Sequence, residues 1–407
     1  MSAEFKKNIL FVLPGPPFPV RDSGISMRYG PVVEHFSQTC HVDLVQIVHK
    51  WSEPMSDRYA GYFHDYATID RRDWRRSFLK KVYGHLRPAL YPRPPRCIYD
   101  PDARIVAEKL RNIINGKRYS VCVYATIDCF DGCVNVLREH CDRVVLDAID
   151  GAYSHISKII GDSYLGMRSK KLVRDWEVRL ARLADAVTYI SASDAASLYE
   201  AGGHNANVNL RIIPNGLYDK DFESHVAKID GINPSVPVIG YLGNMGYTPN
   251  IIALEYLQEL LPLVKAEVPN VKLLVIGKDP SGVIREKFSG EDVYVTGYVD
   301  SIWPYVNRVN LFVFPLKVGG GQQNKVLDVM LARKPIVLTS VANSGIGATT
   351  ECHLLQRDTD VEIVSAIIAL LKDADRARDL GESGHQFVLH KYGWPVIFNE
   401  LEKVYFG

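Results

Sequence analysis

The stretch of residues 309–338 constrains the fold of this chain more than any other part of its sequence. An apolar run at 311–315 ends at a polar loop that contains three consecutive glycines, at 319–321. A helical pattern then begins at Asn324, and a second apolar run follows Pro335. This order of strand, glycine loop, helix and strand is typical of a parallel sheet whose strands are connected by crossover helices.

The glycine loop has the chemistry of an anion site. Its backbone N–H groups are not shielded by side chains and lead into a helix N-terminus, where the helix dipole favours negative charge. Lys325 adds a cation in the first helical turn, and Asp328 follows one turn later. Such a site can bind a diphosphate and, beside it, a ribose hydroxyl. The alternatives are a flexible connector for the loop and a solvent-facing position for Asp328.

Strand-like and helix-like segments alternate along the rest of the chain. The first half opens with an apolar run at 8–13 and a helical pattern at 24–38, which includes Pro31. The second half repeats this plan from a strand at 237–242 and a helix at 249–264. The alternation predicts an α/β protein with two doubly wound domains, in which ligands bind beyond the carboxyl ends of the strands.

A length of 407 residues is sufficient for two such domains. We predict an N-terminal Rossmann-like domain over 1–214 and a C-terminal Rossmann-like domain over 215–385. The amphipathic pattern that follows predicts a last helix over 386–407, which crosses back to the N-terminal domain.

Composition and charge exclude several classes of protein. The net charge of +1 gives no sign of nucleic-acid binding, and no apolar run approaches the roughly 20 residues that span a bilayer. The apolar core from Ile9 to Leu13 is too short for a signal peptide, so we interpret it as the first strand and expect a cytoplasmic protein. Seven cysteines without a CxxC pair and twelve histidines without a clustered set predict no metal site.

One segment, 71–96, is strongly basic. It contains nine Lys or Arg residues and one Asp, with aromatic and aliphatic residues interleaved at helical spacing. A basic amphipathic helix is typical of a contact with an anionic membrane. This interpretation would place the protein peripherally on the inner face of the cell membrane. The alternatives are a solvated loop between domain elements and a helix whose apolar face packs in the core.

Taken together, these motifs resemble the family 4 glycosyltransferases, and in particular the bacterial transferases associated with exopolysaccharide assembly. The matching segments are 212–218, 241–250, 273–278, 295–299, 319–337 and 344–348 in the second half and, more weakly, 13–30 and 144–153 in the first. The resemblance implies the GT-B fold, with two Rossmann-like domains that face a central cleft. It implies transfer of a sugar, with retained configuration, from a nucleotide diphosphate sugar to a hydroxyl of a glycan or lipid-linked glycan. The process would be bacterial surface or exopolysaccharide biosynthesis.

The resemblance and the loop chemistry together define a donor site. The residues expected to bind the donor nucleotide-sugar are Gly24, Arg28, Gly243, Asn244, Tyr298, Gly319, Gly320, Gly321, Gln322, Gln323, Asn324, Lys325 and Asp328. Lys325 and the helix N-terminus would stabilise the charge of the leaving diphosphate, and Tyr298 would lie near the base. We expect a catalytic role for Lys325 and Asp150, with no cofactor and no metal.

The role of Asp150 has alternatives. Asp150 or Asp147 could orient or deprotonate the acceptor hydroxyl, since both follow a strand. In retaining transferases of this fold the leaving phosphate is often thought to take that proton. Asp150 would then only position the substrate or cap a helix.

Three positions depart from the common family pattern. Gly320 stands where the first of two glutamates is usual, Asn244 replaces an arginine, and Pro249 replaces a lysine. The exopolysaccharide-like branch tends to carry a glycine-and-NK loop instead, and this chain fits that variant. Two rival functions therefore stay open: a nucleotide-sugar epimerase or hydrolase of the same fold, and a non-catalytic protein that binds glycans or partners.

Overall fold

The computed structural model divides the chain into two compact units. One unit comprises Met1–Gly216 together with Trp394–Gly407, and the other comprises Leu217–Gly393. The structure describes residues 7–20, 23–50, 52–72, 102–159, 163–201, 208–218, 225–229, 232–278, 282–288, 290–318 and 322–407. The basic segment 71–96, from residue 73 onward, and Gly319, Gly320 and Gly321 lie outside these ranges.

Each unit is built around one parallel sheet. The strands are β1 (Asn8–Leu13), β2 (His41–Val48), β3 (Asp65–Asp70), β4 (Val121–Ala125), β5 (Val144–Ile149), β6 (Ala186–Tyr189), β7 (Leu210–Ile212), β8 (Val238–Leu242), β9 (Lys272–Ile276), β10 (Val293–Val295), β11 (Leu311–Phe314), β12 (Ile336–Leu338) and β13 (Leu355–Gln356). The first sheet has the order β3-β2-β1-β4-β5-β6-β7 and the second the order β10-β9-β8-β11-β12-β13.

Helices connect the strands in both units. They are α1 (Gly24–Phe36), α2 (Ala103–Ile114), α3 (Phe130–His140), α4 (Ala152–Ile159), α5 (Tyr164–Ala181), α6 (Ala196–Glu200), α7 (Thr248–Glu267), α8 (Val283–Phe288), α9 (Trp303–Arg308), α10 (Asn324–Leu331), α11 (Ser340–Asn343), α12 (Asp360–Lys372), α13 (Ala374–Tyr392) and α14 (Trp394–Phe406). No helix within the described ranges is long and apolar enough to cross a membrane.

The strand order explains the apolar runs in the sequence. In the first sheet, Ile9 of β1 lies opposite Val42 of β2 on one side and Val121 of β4 on the other, so β1 is a central strand. All residues of β4, β5 and β8 are buried, as expected for strands covered by helices on both faces. The predicted α/β class with two doubly wound sheets is confirmed.

Helix α1 was predicted correctly in spite of its internal proline. Ser23 is the N-cap, and its side chain accepts a hydrogen bond from the backbone N–H of Ser26 at 3.1 Å. The Ser26 hydroxyl in turn accepts from the Ser23 N–H at 2.8 Å, which completes a capping box. Pro31 lies inside the helix, which continues to Phe36.

The end of the chain differs from the single helix predicted over 386–407. Residues 386–392 belong to α13 in the second unit, and only α14 belongs to the first unit. The break is at Gly393, whose backbone is extended, and a Cβ built there would lie 2.4 Å from the backbone oxygen of Leu389. Pro395 then follows in the first turn of α14, where its missing N–H costs no helical hydrogen bond.

Helix α14 packs on the first unit. His35 of α1 stacks on Phe398 with ring centroids 4.0 Å apart, and the Arg143 Nε donates to the backbone oxygen of Val404 at 2.9 Å. A Cβ at Gly216 would lie 2.3 Å from the Trp394 ring, so this close approach requires glycine. The last helix is therefore an integral part of the first unit's core.

Candidate active site

In the second unit, two loops at the carboxyl edge of the sheet are joined through their backbones. The Gly243 N–H, after β8, donates to the Ile276 oxygen at 3.0 Å, and the Met245 N–H donates to the Lys278 oxygen at 2.8 Å. Gly277, after β9, has φ +136°, and a Cβ there would lie 2.1 Å from the Gly243 oxygen. The two loops therefore meet without a side chain between them, because only glycine allows this approach at position 277.

Asn250 connects this edge to helix α10. Its side chain is buried near the start of α7, and its Nδ2 donates to the backbone oxygen of Asn244 at 2.9 Å. Its Oδ1 accepts from the Lys325 ammonium and, at 3.4 Å, from the Tyr241 hydroxyl. Sequence reasoning missed Asn250. The available signal was an asparagine on the otherwise apolar, core-facing side of α7.

The surroundings of Lys325 destabilise its positive charge. Its ammonium lies 5.5 Å from the ring centroid of Tyr241 and 5.7 Å from that of Phe314, and burial lowers its pKa to about 8. It pairs with no carboxylate among the described residues. It also lies in the first turn of α10, where the helix dipole is positive and repels a cation. The rings and Asn250 compensate only in part, so an anion at this helix N-terminus would stabilise the charge.

The polar residues around the start of α10 have different surroundings. The side-chain amide of Gln322 is buried, and neither its nitrogen nor its oxygen has a hydrogen-bond partner in the described part of the chain. Gln323 is the N-cap, and its backbone oxygen accepts from the Val326 N–H at 2.9 Å. Asn324 is exposed, and Asp328 is half-buried one turn along α10. The unsatisfied Gln322 amide is a second group that requires a partner.

Tyr298 lies at the exposed end of the loop after β10. Gly297 has φ +70°, and the Thr296 hydroxyl bridges this loop to the β9 loop by accepting from the Gly277 N–H at 3.3 Å. The Tyr298 side chain is 72% exposed. A cavity of about 520 Å³ lies beside it, and Lys228 and Tyr305 contribute to its lining.

In the first unit, the Arg28 side chain is buried and binds groups of the same unit. Its Nε and Nη2 donate to the two carboxylate oxygens of Asp147 at 2.6 and 3.2 Å, and the Tyr29 hydroxyl donates to the same carboxylate at 2.7 Å. Its Nη1 donates to the Ile213 oxygen at 3.0 Å and to Asn215 Oδ1 at 3.2 Å. Arg28 and Asp147 are 2% and 1% exposed.

The structure thus places Arg28 in a buried ion pair and not at an open phosphate site. The physical reason is Asp147, a carboxylate inside the core, which would be strongly destabilising without a cationic partner. Gly24 is the first residue of α1, and no heavy atom of the described residues lies within 4 Å of where its Cβ would be. Packing within the unit therefore does not explain this glycine.

Asp150 lies in a strained loop after β5. It is exposed, and the preceding Ile149 has φ +59°, which is unfavourable for a β-branched residue. A Cβ at Gly151 would lie 1.9 Å from the backbone oxygen of Asp194. Strain of this kind persists only where the surroundings impose it, and it is common near functional groups.

Glu177 of α5 holds the same loop from the inside. Its buried carboxylate accepts from the N–H groups of Ala152 and Tyr153, at 3.1 and 3.2 Å, and from the Tyr189 hydroxyl at 3.1 Å. Burial raises the pKa of Glu177, while these hydrogen bonds oppose the shift. Sequence reasoning missed this residue, because it is 24 and 25 positions away from the backbone groups that it binds.

The two units therefore present different groups at their sheet edges. In the second, Gly243, Asn244 and Lys325 are brought together through Asn250. In the first, Asp150 follows the strand that carries the buried Asp147. No group of three His, Cys, Asp or Glu side chains is arranged to hold a metal ion in the ranges that the structure describes.

Comparisons with known proteins relate the second unit to one family. Residues 236–373 match the family model of the glycosyl transferases group 1. The capsular polysaccharide biosynthesis glycosyltransferase CapM of Staphylococcus aureus is 26% identical over 174 residues, which cover 40% of this chain and 45% of that protein. The phosphatidyl-myo-inositol mannosyltransferase of Propionibacterium freudenreichii is 26% identical over 232 residues, which cover 56% and 57%. The chain thus spans about half the length of these curated relatives.

Solved structures show the fold. Anabaena HepE in complex with UDP has a TM-score of 0.66 at 12% identity, over 98% of this chain and 99% of that protein. The likeness is to GT-B proteins and includes both sheets. The chain therefore has the GT-B fold, and its residues 236–373 match the group 1 glycosyl transferases.

Proposed function

We propose that this protein is a glycosyltransferase that transfers a sugar from a nucleotide diphosphate sugar to a hydroxyl of a glycan or lipid-linked glycan. The configuration at the transferred carbon would be retained, and the process would be the assembly of a bacterial surface polysaccharide. One observation carries the donor half of the proposal. Lys325 is a partly buried cation at a helix N-terminus and has no anionic partner among the described residues.

The proposed chemistry follows from that charge. As the bond between sugar and diphosphate breaks, negative charge accumulates on the leaving group, and fixed donors at that position stabilise the transition state. Lys325 and the N–H groups at the start of α10 would supply this stabilisation, with the Gln322 amide as a further donor. Asn250 would hold the Lys325 ammonium in place before the donor arrives. Asp328 would accept from the ribose hydroxyls, and the base would lie near Tyr298.

Asp150 is the proposed acceptor-side residue. It is exposed and carried on a loop whose conformation is fixed by Glu177 and by the glycine at 151. A carboxylate on such a loop can orient an acceptor hydroxyl or accept its proton. We expect the leaving phosphate to be the alternative proton acceptor, in which case Asp150 positions the acceptor.

Relatives suggest which substrates to test first. The similar S. aureus protein is named for capsular polysaccharide biosynthesis, the P. freudenreichii protein for mannosyl transfer to phosphatidyl-myo-inositol, and HepE was solved with UDP. UDP is therefore the first nucleotide to try. We propose that no metal is required, because Lys325 and the α10 N-terminus would supply the positive charge that a divalent cation would otherwise supply.

Calorimetric titration with UDP, GDP, ADP and dTDP, in the presence of EDTA, tests the donor site. We expect one nucleotide to bind, and the Lys325→Ala variant to bind it at least tenfold more weakly, because a desolvated charge–phosphate contact is lost. Lys317→Ala is the matched control, since Lys317 is an exposed lysine of the same unit. If none of the four nucleotides binds, the donor-site assignment is contradicted. Turnover of the sugar donor without a glycan would favour a hydrolase or epimerase.

A further inference from the structure

Helix α5 carries two large apolar side chains on its outer surface. Met167 is 54% exposed and Leu172 is 39% exposed. Two exposed basic residues, Arg168 and Lys171, lie between them in the sequence. Single exposed apolar residues are ordinary. Two of them beside two cations on one helix form a surface patch of distinct chemistry.

The geometry of the helix groups these four side chains. At about 100° per residue, positions 167, 168, 171 and 172 fall within one sector of the helix surface. The opposite face is buried and carries Val173, Trp176 and Leu180. We call the four residues Met167, Arg168, Lys171 and Leu172 the α5 patch.

The charge of the α5 patch is not neutralised by an ion pair within the part of the chain that the structure describes. Arg168 and Lys171 form no ion pair with any residue in the described ranges. Asp175, which lies one helical turn from Lys171 on the same face of α5, pairs with Arg174 at 3.1 Å. The patch therefore presents two available cations beside two apolar side chains.

We propose that the α5 patch docks on an anionic lipid membrane. Apolar side chains at the headgroup boundary bury their surface in the acyl region, while neighbouring Arg and Lys residues are attracted to anionic headgroups. A nucleic acid would attract the cations but would not bury the apolar side chains of Met167 and Leu172. A specific protein partner would require about 800 Å² on each side, which four side chains do not provide.

The α5 patch shares no residue with the basic segment 71–96 or with the proposed donor site. It lies wholly on α5 of the first unit, and none of its residues is among the groups proposed to bind the nucleotide or the acceptor. Membrane docking and sugar transfer can therefore fail independently, and each has its own measurement.

Co-sedimentation of the full chain with phosphatidylcholine vesicles, with and without phosphatidylglycerol, tests the proposal. We expect binding only to the vesicles that contain phosphatidylglycerol, and weaker binding in high salt. Arg168→Gln/Lys171→Gln should weaken it roughly 30-fold, since each basic residue contributes about fivefold at an anionic surface. Met167→Ser/Leu172→Ser should also weaken binding, by about tenfold or more, and this distinguishes lipid docking from a purely electrostatic contact.

Arg104→Gln/Lys109→Gln is the matched control, because it removes two basic residues from the exposed surface of α2 in the same unit. It should bind as the unmodified protein does. All variants alter exposed positions, so their circular dichroism melting curves should coincide with that of the unmodified chain. Equal binding to neutral vesicles, or unchanged binding of both α5 variants, would overturn the proposal. The second result would place any membrane contact on another segment.

Discussion

Replacing Lys325 with methionine should make the protein more stable while removing its affinity for nucleotide. The ammonium is desolvated, and its pKa falls from the ordinary 10.5 to about 8. That fall corresponds to about 3 kcal/mol of destabilisation of the charged form. Methionine has a similar length and would contact the rings of Tyr241 and Phe314 without a charge.

The expected gain in stability is smaller than the destabilisation that the buried charge causes. Removing the ammonium leaves Asn250 Oδ1 with only the Tyr241 hydroxyl at 3.4 Å, and losing a hydrogen bond of this kind costs about 1 kcal/mol. The net stabilisation should therefore be about 1 to 2 kcal/mol. For a unit of this size it would raise the melting temperature by roughly 2 to 8 °C.

The pH dependence provides an independent check. Below pH about 8 the lysine is charged in both the folded and the unfolded protein, so the destabilisation is fully present. Between pH 8 and 10.5 the folded form is neutral while the unfolded form still binds a proton, so the stability of the unmodified protein rises with pH. The advantage of Lys325→Met should shrink across that window and disappear above it.

Lys334→Met is the matched comparison. Burial also lowers the pKa of Lys334 to about 8, but its ammonium donates to the backbone oxygens of Asn307 and Val309 at 2.9 and 2.8 Å. Its removal takes the lysine donor away from two backbone carbonyls at the end of α9, so this variant should be less stable. The measurements are thermal melts from pH 7 to 10.5 with and without UDP. A Lys325→Met variant that melts below the unmodified protein at pH 7 would refute the reasoning.

Three further variants test the architecture around the site. Asp147→Asn should destabilise the fold by about 3 to 5 kcal/mol in urea titrations, because it leaves Arg28 charged and buried; an unchanged midpoint would contradict the ion-pair assignment. Gly277→Ala should cost about 1 to 3 kcal/mol, since alanine is strained at φ +136° and its Cβ meets the neighbouring loop; native stability would exclude that close contact. Asn250→Ala should lower the pKa of Lys325 further, so nucleotide binding, measured from pH 6 to 9, should decline at a lower pH than in the unmodified protein.

Much of the fold could be predicted because its central strands are continuous apolar runs. Strands such as β1 and β8 are buried on both faces, and that requirement is visible in their composition. The edge strand β3 was not predicted, because only Ile69 of its six residues is buried and the segment begins and ends with Asp. Helix α3 was also missed, because its buried positions include Cys133 and because Gly132 and Asn135 interrupt its apolar pattern.

The candidate site could be proposed from the sequence where its chemistry is local and not where it depends on tertiary contacts. Lys325 and the nearby glycines lie in one short stretch, so the sequence alone indicates that they occur together. Asn250 acts through a residue 75 positions away, and Arg28 pairs with a residue 119 positions away. Asn250 contacts the proposed site residue Lys325, and Arg28 lies in the core; in each case the partner that the fold brings to the side chain decides its surroundings.

The buried pair of Arg28 and Asp147 also limits how this sequence can change over time. Either single replacement leaves one charge without its partner inside the core, so an evolving lineage that alters one position passes through a poorly folded intermediate. Tyr29 donates to the same carboxylate, so a replacement of Asp147 also removes the partner of Tyr29. Among descendants of this chain the two positions should therefore be inherited together or exchanged together for apolar residues.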